Sequence, residues 1–268
     1  MRQYLDGRTM DDVAIERIRH FEPEALEMSP DGYWLAFSGG KDSVVILDLA
    51  KRAGVKFTAH QNLCGGVDPP ELVWFTRRNH PEVALHRAEK TMWRIVQEQG
   101  CPPRRNARFC CKELKERGGS GWLVLTGVRW AESARRAKRQ MTEACFRDGN
   151  KWFLHPIIDW STADVWQYIR ERGLAYCSLY DEGFKRLGCV LCPMTRDVER
   201  QIARWPRIAA LWKRAIVGTF RPGHVGRSGK AFKSAEDYWR WWLDRDAPMT
   251  DYTEDSNVLF EDDPSKAE

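Results

Sequence analysis

The short apolar run Tyr33 to Phe37 leads directly into Ser38-Gly39-Gly40-Lys41-Asp42-Ser43, and Val44 to Arg52 then follows with apolar residues at helical spacing. A buried strand that feeds a helix through a glycine pair constrains the chain more than any other segment. Two glycines let backbone come close to an anion with no Cβ in the way. The free N–H groups of the helix start then point at that anion, and the helix dipole favours its charge. Lys41 adds a cation, and Ser38 and Ser43 add hydroxyls. The string is neither G-x-x-x-x-G-K-[ST] nor G-x-G-x-x-G. It reads as a loop for phosphates all the same.

The rest of the chain alternates in the same way. Val55 to His60 predicts a second strand, after a helix closed by Gly54. Glu71 to Asn79 and Thr91 to Gln99 predict helices, Trp122 to Gly127 a third strand, and Phe153 to Ile158 a short extended segment. Ser161 with Asp164 three positions later predicts a capped helix from Asp164 to Arg172. Strands alternating with helices imply an α/β fold, a mostly parallel twisted sheet with helices on both faces. Helical patterns at Arg196 to Ile216 and Ala235 to Leu243 predict a helical C-terminal appendage. The expected division is a helical lead-in at 1–30, a loop-bearing α/β domain at 31–195 that includes clustered cysteines, a helical region at 196–246 and an acidic flexible tail at 247–268.

Composition excludes some classes. No apolar run approaches the roughly 20 residues that span a bilayer. The polar start, Met1 to Met10, carries no secretory signal, so a cytoplasmic location is expected. The net charge of +5 suits an anionic substrate. Eight cysteines without a signal point to metal or redox chemistry rather than a disulfide framework. Cys110-Cys111 and Cys189-x-x-Cys192 are the constellation among them. Thiolates are soft ligands for zinc or for iron–sulfur clusters. Adjacent cysteines are awkward for a tetrahedral zinc site.

The string Ser38 to Ser43 resembles the signature of the PP-loop ATP pyrophosphatases, in particular their phosphoadenosine phosphosulfate reductase-like branch. The resemblance runs from about Tyr33 to Pro193. Val67-Asp68-Pro69-Pro70-Glu71 resembles the segment after the family's second strand. Gly127-Val128-Arg129 with Glu132, Ser133 and Arg135 resembles its G-x-R-x-x-E-S-x-x-R string. His155-Pro156-Ile157-Ile158-Asp159-Trp160 followed by Asp164-Val165-Trp166 resembles its P-[IL]-x-D-W…D-V-W segment. The likeness implies an adenine nucleotide as ligand, ATP or a sulfonucleotide, held by Ser38 to Ser43 with Lys115, Gly127, Arg129 and Arg135. It implies catalytic roles for Lys41 and Asp42, with Mg²⁺ ordered by Asp42.

The C-C…C-x-x-C arrangement resembles the ligand set of the [4Fe–4S] cluster in assimilatory adenylyl-sulfate reductases. Cys110, Cys111, Cys189 and Cys192 are therefore expected to hold such a cluster, with Zn²⁺ as the alternative. The chain departs from the family's reductases in one respect. No cysteine follows Cys192, so the C-terminal nucleophile of those enzymes is missing. Cys64, just after the second strand, is the candidate substitute as a sulfur-carrying nucleophile.

The pattern then resembles the ATP-pyrophosphatase component of DNA phosphorothioation systems and the tRNA thiolases. It implies an ATP pyrophosphatase in sulfur transfer through an adenylated intermediate. Partners implied are a sulfur donor protein such as a cysteine desulfurase, a DNA or tRNA acceptor, and a second copy of the chain. Two alternatives remain. One is a sulfonucleotide reductase with Cys64 as non-standard nucleophile. The other is a nucleic-acid-binding module that retains a nucleotide site, motivated by basic segments at Arg104-Arg105, Arg135 to Arg139 and Arg221 to Lys233.

Overall fold

The structure is a computed structural model that describes residues 2–3, 6–145, 148–224 and 231–245. In chain order its elements are α1 (Met10–His20), α2 (Glu22–Met28), β1 (Tyr33–Ala36), α3 (Lys41–Ala53), β2 (Phe57–Asn62), α4 (Pro70–Asn79), β3 (Ala84–His86), α5 (Met92–Gln99), β4 (Leu123–Leu125), β5 (Thr142–Cys145), β6 (Asp148–Leu154), α6 (Thr162–Glu171), α7 (Val198–Arg204), α8 (Pro206–Val217) and α9 (Ala235–Leu243). A π-helical turn occupies Cys111–Lys115. Its backbone contacts divide the chain into two compact units.

The first unit holds Met1–Asn62, Pro70–His86 and Gly118–Gly188. The six strands of the described residues lie in it, in the order β3-β2-β1-β4-β6-β5. Every pairing is parallel except β5 with β6. The mostly parallel α/β sheet expected from the sequence is therefore present. Leu35 and Leu125 are fully buried on the central strands β1 and β4. Burying a leucine side chain contributes roughly 1.5–3 kcal/mol. On one face α1 and α6 pack against α3. Polar bonds fix their registers: Arg52 donates to Asp11 Oδ2 at 2.6 Å and Tyr168 Oη donates to Asp48 Oδ2 at 2.5 Å. The predicted caps form, with Ser161 and Asp164 in a capping box and Gly54 left-handed at φ +71°.

The boundaries differ from expectation in ways that have local causes. β2 runs to Asn62 because it pairs onward with β3, a strand of three residues too short to announce itself. The extended segment expected at Phe153 to Ile158 ends at Leu154, because Pro156 cannot donate to a ladder. The single helical pattern at Arg196 to Ile216 is two helices that meet at Trp205-Pro206.

The second unit gathers Leu63–Pro69, Arg87–Arg117 and Cys189 onward. Its core is α8 against α5, α7 and α9. Trp212 and Trp242 are buried there, with ring centroids 4.9 Å apart. The indole of Trp212 donates to Val190 O at 2.9 Å, and that of Trp242 to Pro103 O at 2.8 Å. The cysteine-bearing segments thus belong to the unit that also holds the C-terminal helices, not to the unit that holds the loop. The expected acidic tail lies outside the described residues, as does most of the Arg221 to Lys233 run.

Candidate active site and thiol pocket

The order of the sheet places a switch point between β1 and β4. The chain runs outward from β1 to β2 and β3 on one side, then returns to β4 and β6 on the other. Open α/β sheets bind ligands in the crevice at the carboxyl ends of such strands. The loop Ser38 to Ser43 leaves the end of β1, and Thr126-Gly127 leaves the end of β4.

Within the loop, the Ser38 N–H donates to Ser43 Oγ at 3.2 Å, and Ser43 Oγ donates to Gly40 O at 2.8 Å. Gly39 has φ +74°, and a Cβ there would stand 2.8 Å from Leu72 Cδ1. Only glycine fits that turn against α4. Gly40 caps α3 without any side chain. The Lys41 N–H, the first of the helix, donates to Tyr180 Oη at 2.9 Å. Burial pushes the Tyr180 hydroxyl's pKa up, so it stays protonated. A neutral hydroxyl oxygen thus accepts the amide that an anion would use. Tyr180 was not legible as a site residue, because it lies 139 residues from Lys41 in a segment with no signature.

The charges of the loop are arranged around Asp42. Lys41 is buried, and its ammonium donates to Asp42 Oδ2 at 3.0 Å. Arg129 Nε donates to Asp42 Oδ1 at 2.9 Å. Arg129 is 1 % exposed, and its Nη1 donates to Trp160 O at 3.2 Å and Thr162 Oγ1 at 3.4 Å. The guanidinium expected to grip phosphate is turned onto protein acceptors and meets the loop through Asp42. Gly127 sits close by: a Cβ there would come within 2.9 Å of Asp42 Cβ and 3.0 Å of its carbonyl. One carboxylate between two cations leaves the loop net positive, which favours an anion.

Arg135 is exposed at the start of the turn Arg136–Lys138. Of its basic neighbours, Arg136 pairs with Glu132, and Arg139 Nε pairs with Glu143 at 2.5 Å. The predicted Lys115 lies in the second unit, among the thiols, rather than in the unit of the loop.

In that second unit, Cys64, Cys110, Cys111, Cys189 and Cys192 line one small pocket together with Lys115. The structure therefore gathers the four expected ligands and adds Cys64. The apolar wall is Met92, Pro103, Leu114, Pro193 and Trp212. The π-helical turn presents Cys111 and Lys115, with the Glu116 N–H bonded to Cys111 O at 2.9 Å. Such wide turns are frequent at functional sites. Leu191, inside the Cys189–Cys192 turn, has φ +57°. A branched residue there costs of order 1–2 kcal/mol. The turn is held by Gln201, whose Oε1 accepts the Leu191 N–H at 2.6 Å and whose Nε2 donates to Thr195 Oγ1 at 3.0 Å.

The thiols differ in acidity. A hydrogen bond from Cys110, helped by Lys115 and Arg108, pulls Cys111 down to about 6. A hydrogen bond from Cys64, helped by Lys115, pulls Cys189 down to about 7. Cys64 and Cys110, as the donors, are pushed up. Burial raises Cys192. Lys115 lines the same pocket, and the thiols around it, Cys189 foremost, hold it protonated. Cys64 N–H donates to Asp68 Oδ2 at 2.5 Å. Among the described residues no three of His, Cys, Asp or Glu converge closely enough to hold a single metal ion. Cys101, Cys145 and Cys177 lie outside the pocket lining.

Fold and loop together define an α/β domain with a glycine-paired turn at its switch point. The chain belongs to the phosphoadenosine phosphosulfate reductase domain family, whose model matches residues 32–195. That family is one of enzymes. The chain is 28% identical over 225 residues to an uncharacterized protein of Methanocaldococcus jannaschii, covering 77% of this chain and 45% of that one. It is 27% identical over 213 residues to the phosphoadenosine 5'-phosphosulfate reductase of Gloeobacter violaceus, covering 74% and 87%. It is 34% identical over 107 residues to the adenosine 5'-phosphosulfate reductase of Neisseria meningitidis serogroup A, covering 37% and 43%. The chain spans about half the length of the first curated relatives it matches. No helix among the described residues is long and apolar enough to cross a membrane.

Proposed function

We propose that the chain binds ATP at Ser38 to Ser43 and uses it to adenylate an acceptor, with release of pyrophosphate, in a sulfur-transfer reaction. The observation that carries this reading is the uncapped start of α3 at the β1/β4 switch point, with Lys41 and Asp42 in its first turn. Phosphate oxygens would exchange for the Tyr180 hydroxyl on the Lys41 N–H. Arg129 would hold Asp42 in place, and Asp42 would share Mg²⁺ with the phosphates, an ion that supplies charge neutralisation. Arg135 would lie at the acceptor side of the site.

The thiol pocket supports the sulfur half of the reading. Its donors do not close on one ion, as a tetrahedral zinc site with Zn–S bonds of about 2.3 Å requires. The reading takes each of the four thiolates to a different iron. Cys110, Cys111, Cys189 and Cys192 would hold a [4Fe–4S] cluster, which supplies an electron-rich sulfur environment. Lys115 would balance its negative charge. Cys64 is then the thiol left to carry sulfur from a donor protein such as a cysteine desulfurase. A nucleic acid, DNA or tRNA, is the acceptor class this reading names.

The test is anaerobic purification with iron, sulfide and zinc analysis, followed by pyrophosphate release from ATP across candidate acceptors. Iron and sulfide near four per chain, and release abolished by Lys41→Ala, are expected. Zinc without iron would remove the cluster. Sulfite release from adenylyl sulfate without pyrophosphate release would replace the reading with a reductase that uses Cys64. Salt-sensitive nucleic-acid binding without any turnover would replace it with a binding module.

A further inference from the structure

A second polar cluster stands at the same end of the sheet, beside the loop. Thr126 follows the last residue of β4, and its N–H donates to Leu154 O at 3.0 Å. Its Oγ1 lies 2.6 Å from His155 Nδ1. The other ring nitrogen, Nε2, lies 3.2 Å from Glu143 Oε1. That same carboxylate oxygen accepts from Arg139 Nε at 2.5 Å. His155 is completely buried, while Thr126 is only half-buried.

The direction of each proton follows from the donors available. Glu143 Oε1 already accepts from the Arg139 guanidinium, and the same oxygen faces His155 Nε2 as acceptor. The His155 Nε2 therefore carries the hydrogen. Burial pushes His155 below its ordinary pKa; Arg139 and Arg136 push the same way and Glu143 opposes them, so the ring is neutral near pH 7. In a neutral ring the Nδ1 is then bare and accepts. The Thr126 hydroxyl is the donor to it, and its oxygen keeps acceptor capacity beyond a long 3.4 Å contact from the Val128 N–H. A hydroxyl that donates to an imidazole oriented by a carboxylate is poised to lose its proton.

Position gives the cluster its meaning. Thr126 immediately precedes Gly127, whose backbone packs against Asp42 of the loop. β4 and β1 are neighbours at the switch point, so hydroxyl and loop emerge from adjacent strands at their carboxyl ends. A structural tie between β4 and β6 would not need a histidine in this tautomer, since Thr126 N–H already bonds Leu154 O.

We propose that Thr126, His155 and Glu143 form a proton relay serving the reaction at the loop. Thr126 is the catalytic residue that touches the acceptor, and His155 and Glu143 are positioning residues behind it. This rests on the ATP-dependent transfer described above. As the acceptor's oxygen or sulfur bonds to the α-phosphorus, the bond from that phosphorus to the pyrophosphate oxygen breaks. Pyrophosphate leaves with the electron pair. The acceptor's proton passes to Thr126 Oγ1 while Thr126's own proton passes to His155 Nδ1. Glu143 stabilises the imidazolium, which then returns its proton to Thr126 Oγ1, and the half-buried hydroxyl releases the acceptor's proton to water.

The test uses the full chain and the variants Thr126→Val, Thr126→Ser and His155→Gln. General-base catalysis typically contributes 10²–10⁴-fold, so Thr126→Val should release pyrophosphate at least about 100-fold more slowly, with ATP affinity within about threefold of the unaltered chain. Thr126→Ser should restore most of the rate. The unaltered chain should lose rate as acid protonates His155, and His155→Gln should lack that limb on a low baseline. A Thr126→Val rate within about threefold of the unaltered chain, or an equal loss in Thr126→Ser, overturns the relay. Ring-nitrogen NMR of His155 needs no turnover. It should show Nε2–H at pH 7 and shift when ATP is added. A proton on Nδ1, or no shift, overturns the relay. Absent pyrophosphate release with a His155 shift removes the ATP-transfer reading but leaves the relay standing.

Discussion

Arg129 donates from Nε to Asp42 Oδ1 across 2.9 Å, so the exit of β4 is tied to the first turn of α3. The pair is unequal. Arg129 is buried to its tip, while the Asp42 side chain keeps 21% of its exposure. Asp42 can therefore still face a ligand, and loss of Arg129 leaves it with Lys41 as its one remaining cation among these contacts.

Replacing Arg129 by methionine removes one side of a buried pair. The expected cost is about 3 kcal/mol, seen as a lower midpoint in urea unfolding. Arg129→Lys should recover little of it, since an ammonium cannot reach Asp42, Trp160 O and Thr162 Oγ1 together. A loss below about 0.5 kcal/mol in the methionine variant would show that the pair does not hold the two strands' exits together.

Gly127→Ala places a methyl group 2.9 Å from Asp42 Cβ and 3.0 Å from its backbone. The neighbour is helix backbone and cannot turn aside. Overpacking of this kind costs about 1–3 kcal/mol. Since the displaced group is the loop itself, calorimetry should show ATP binding weakened by about tenfold, which corresponds to about 1.4 kcal/mol. Unchanged affinity would separate the β4 exit from the nucleotide site.

Lys115→Met should make the pocket thiols less acidic. Cys189 lies at about 7 because Cys64 donates to it and because Lys115 attracts its thiolate. Cys111 lies at about 6 through Cys110, then Lys115 and Arg108. In reduced, metal-free protein, the pH midpoint for alkylation by iodoacetamide, resolved by peptide mass spectrometry, should rise at both residues. It should stay in place at Cys177, which lies outside the pocket lining and is raised by burial.

Acid should weaken the first unit through His60. Its ring stacks on Trp34 at 3.5 Å, and burial followed by the neighbouring His86 pushes it down to about 4. The folded form thus disfavours the proton. Its contribution is complete above the unfolded value of about 6.5 and is lost as pH falls from there towards 4. Half-exposed rings are screened by solvent, so about 1 kcal/mol is expected. Thermal unfolding of His60→Gln should show a flatter slope between pH 6.5 and 4 than the unaltered chain. Equal slopes would place the acid sensitivity elsewhere.

Local chemistry was legible where it depends on neighbours in sequence. The SGGKDS loop, the Ser161 cap and the left-handed Gly54 all declare themselves within a few residues, because turn geometry and orphan amides are satisfied locally. The short strands β3 and β5 did not, since three or four residues carry no usable period and exist only by pairing. Tyr180 on the loop and Glu143 behind His155 were invisible for the same reason. Their roles arise from partners brought together by the sheet order.

The cysteines mark the same boundary most clearly. Spacing alone singled out Cys110, Cys111, Cys189 and Cys192 as a soft-ligand set, because thiolate chemistry is a property of residue type. It could not say that Cys64 shares their pocket, or that Arg129 bonds Asp42 of the loop. Those outcomes depend on which long-range contacts bury a charge and then have to satisfy it. Residue order determines which groups exist and their local turns. Packing alone decides which of them meet, since desolvation forces each buried charge onto whatever partner the fold supplies.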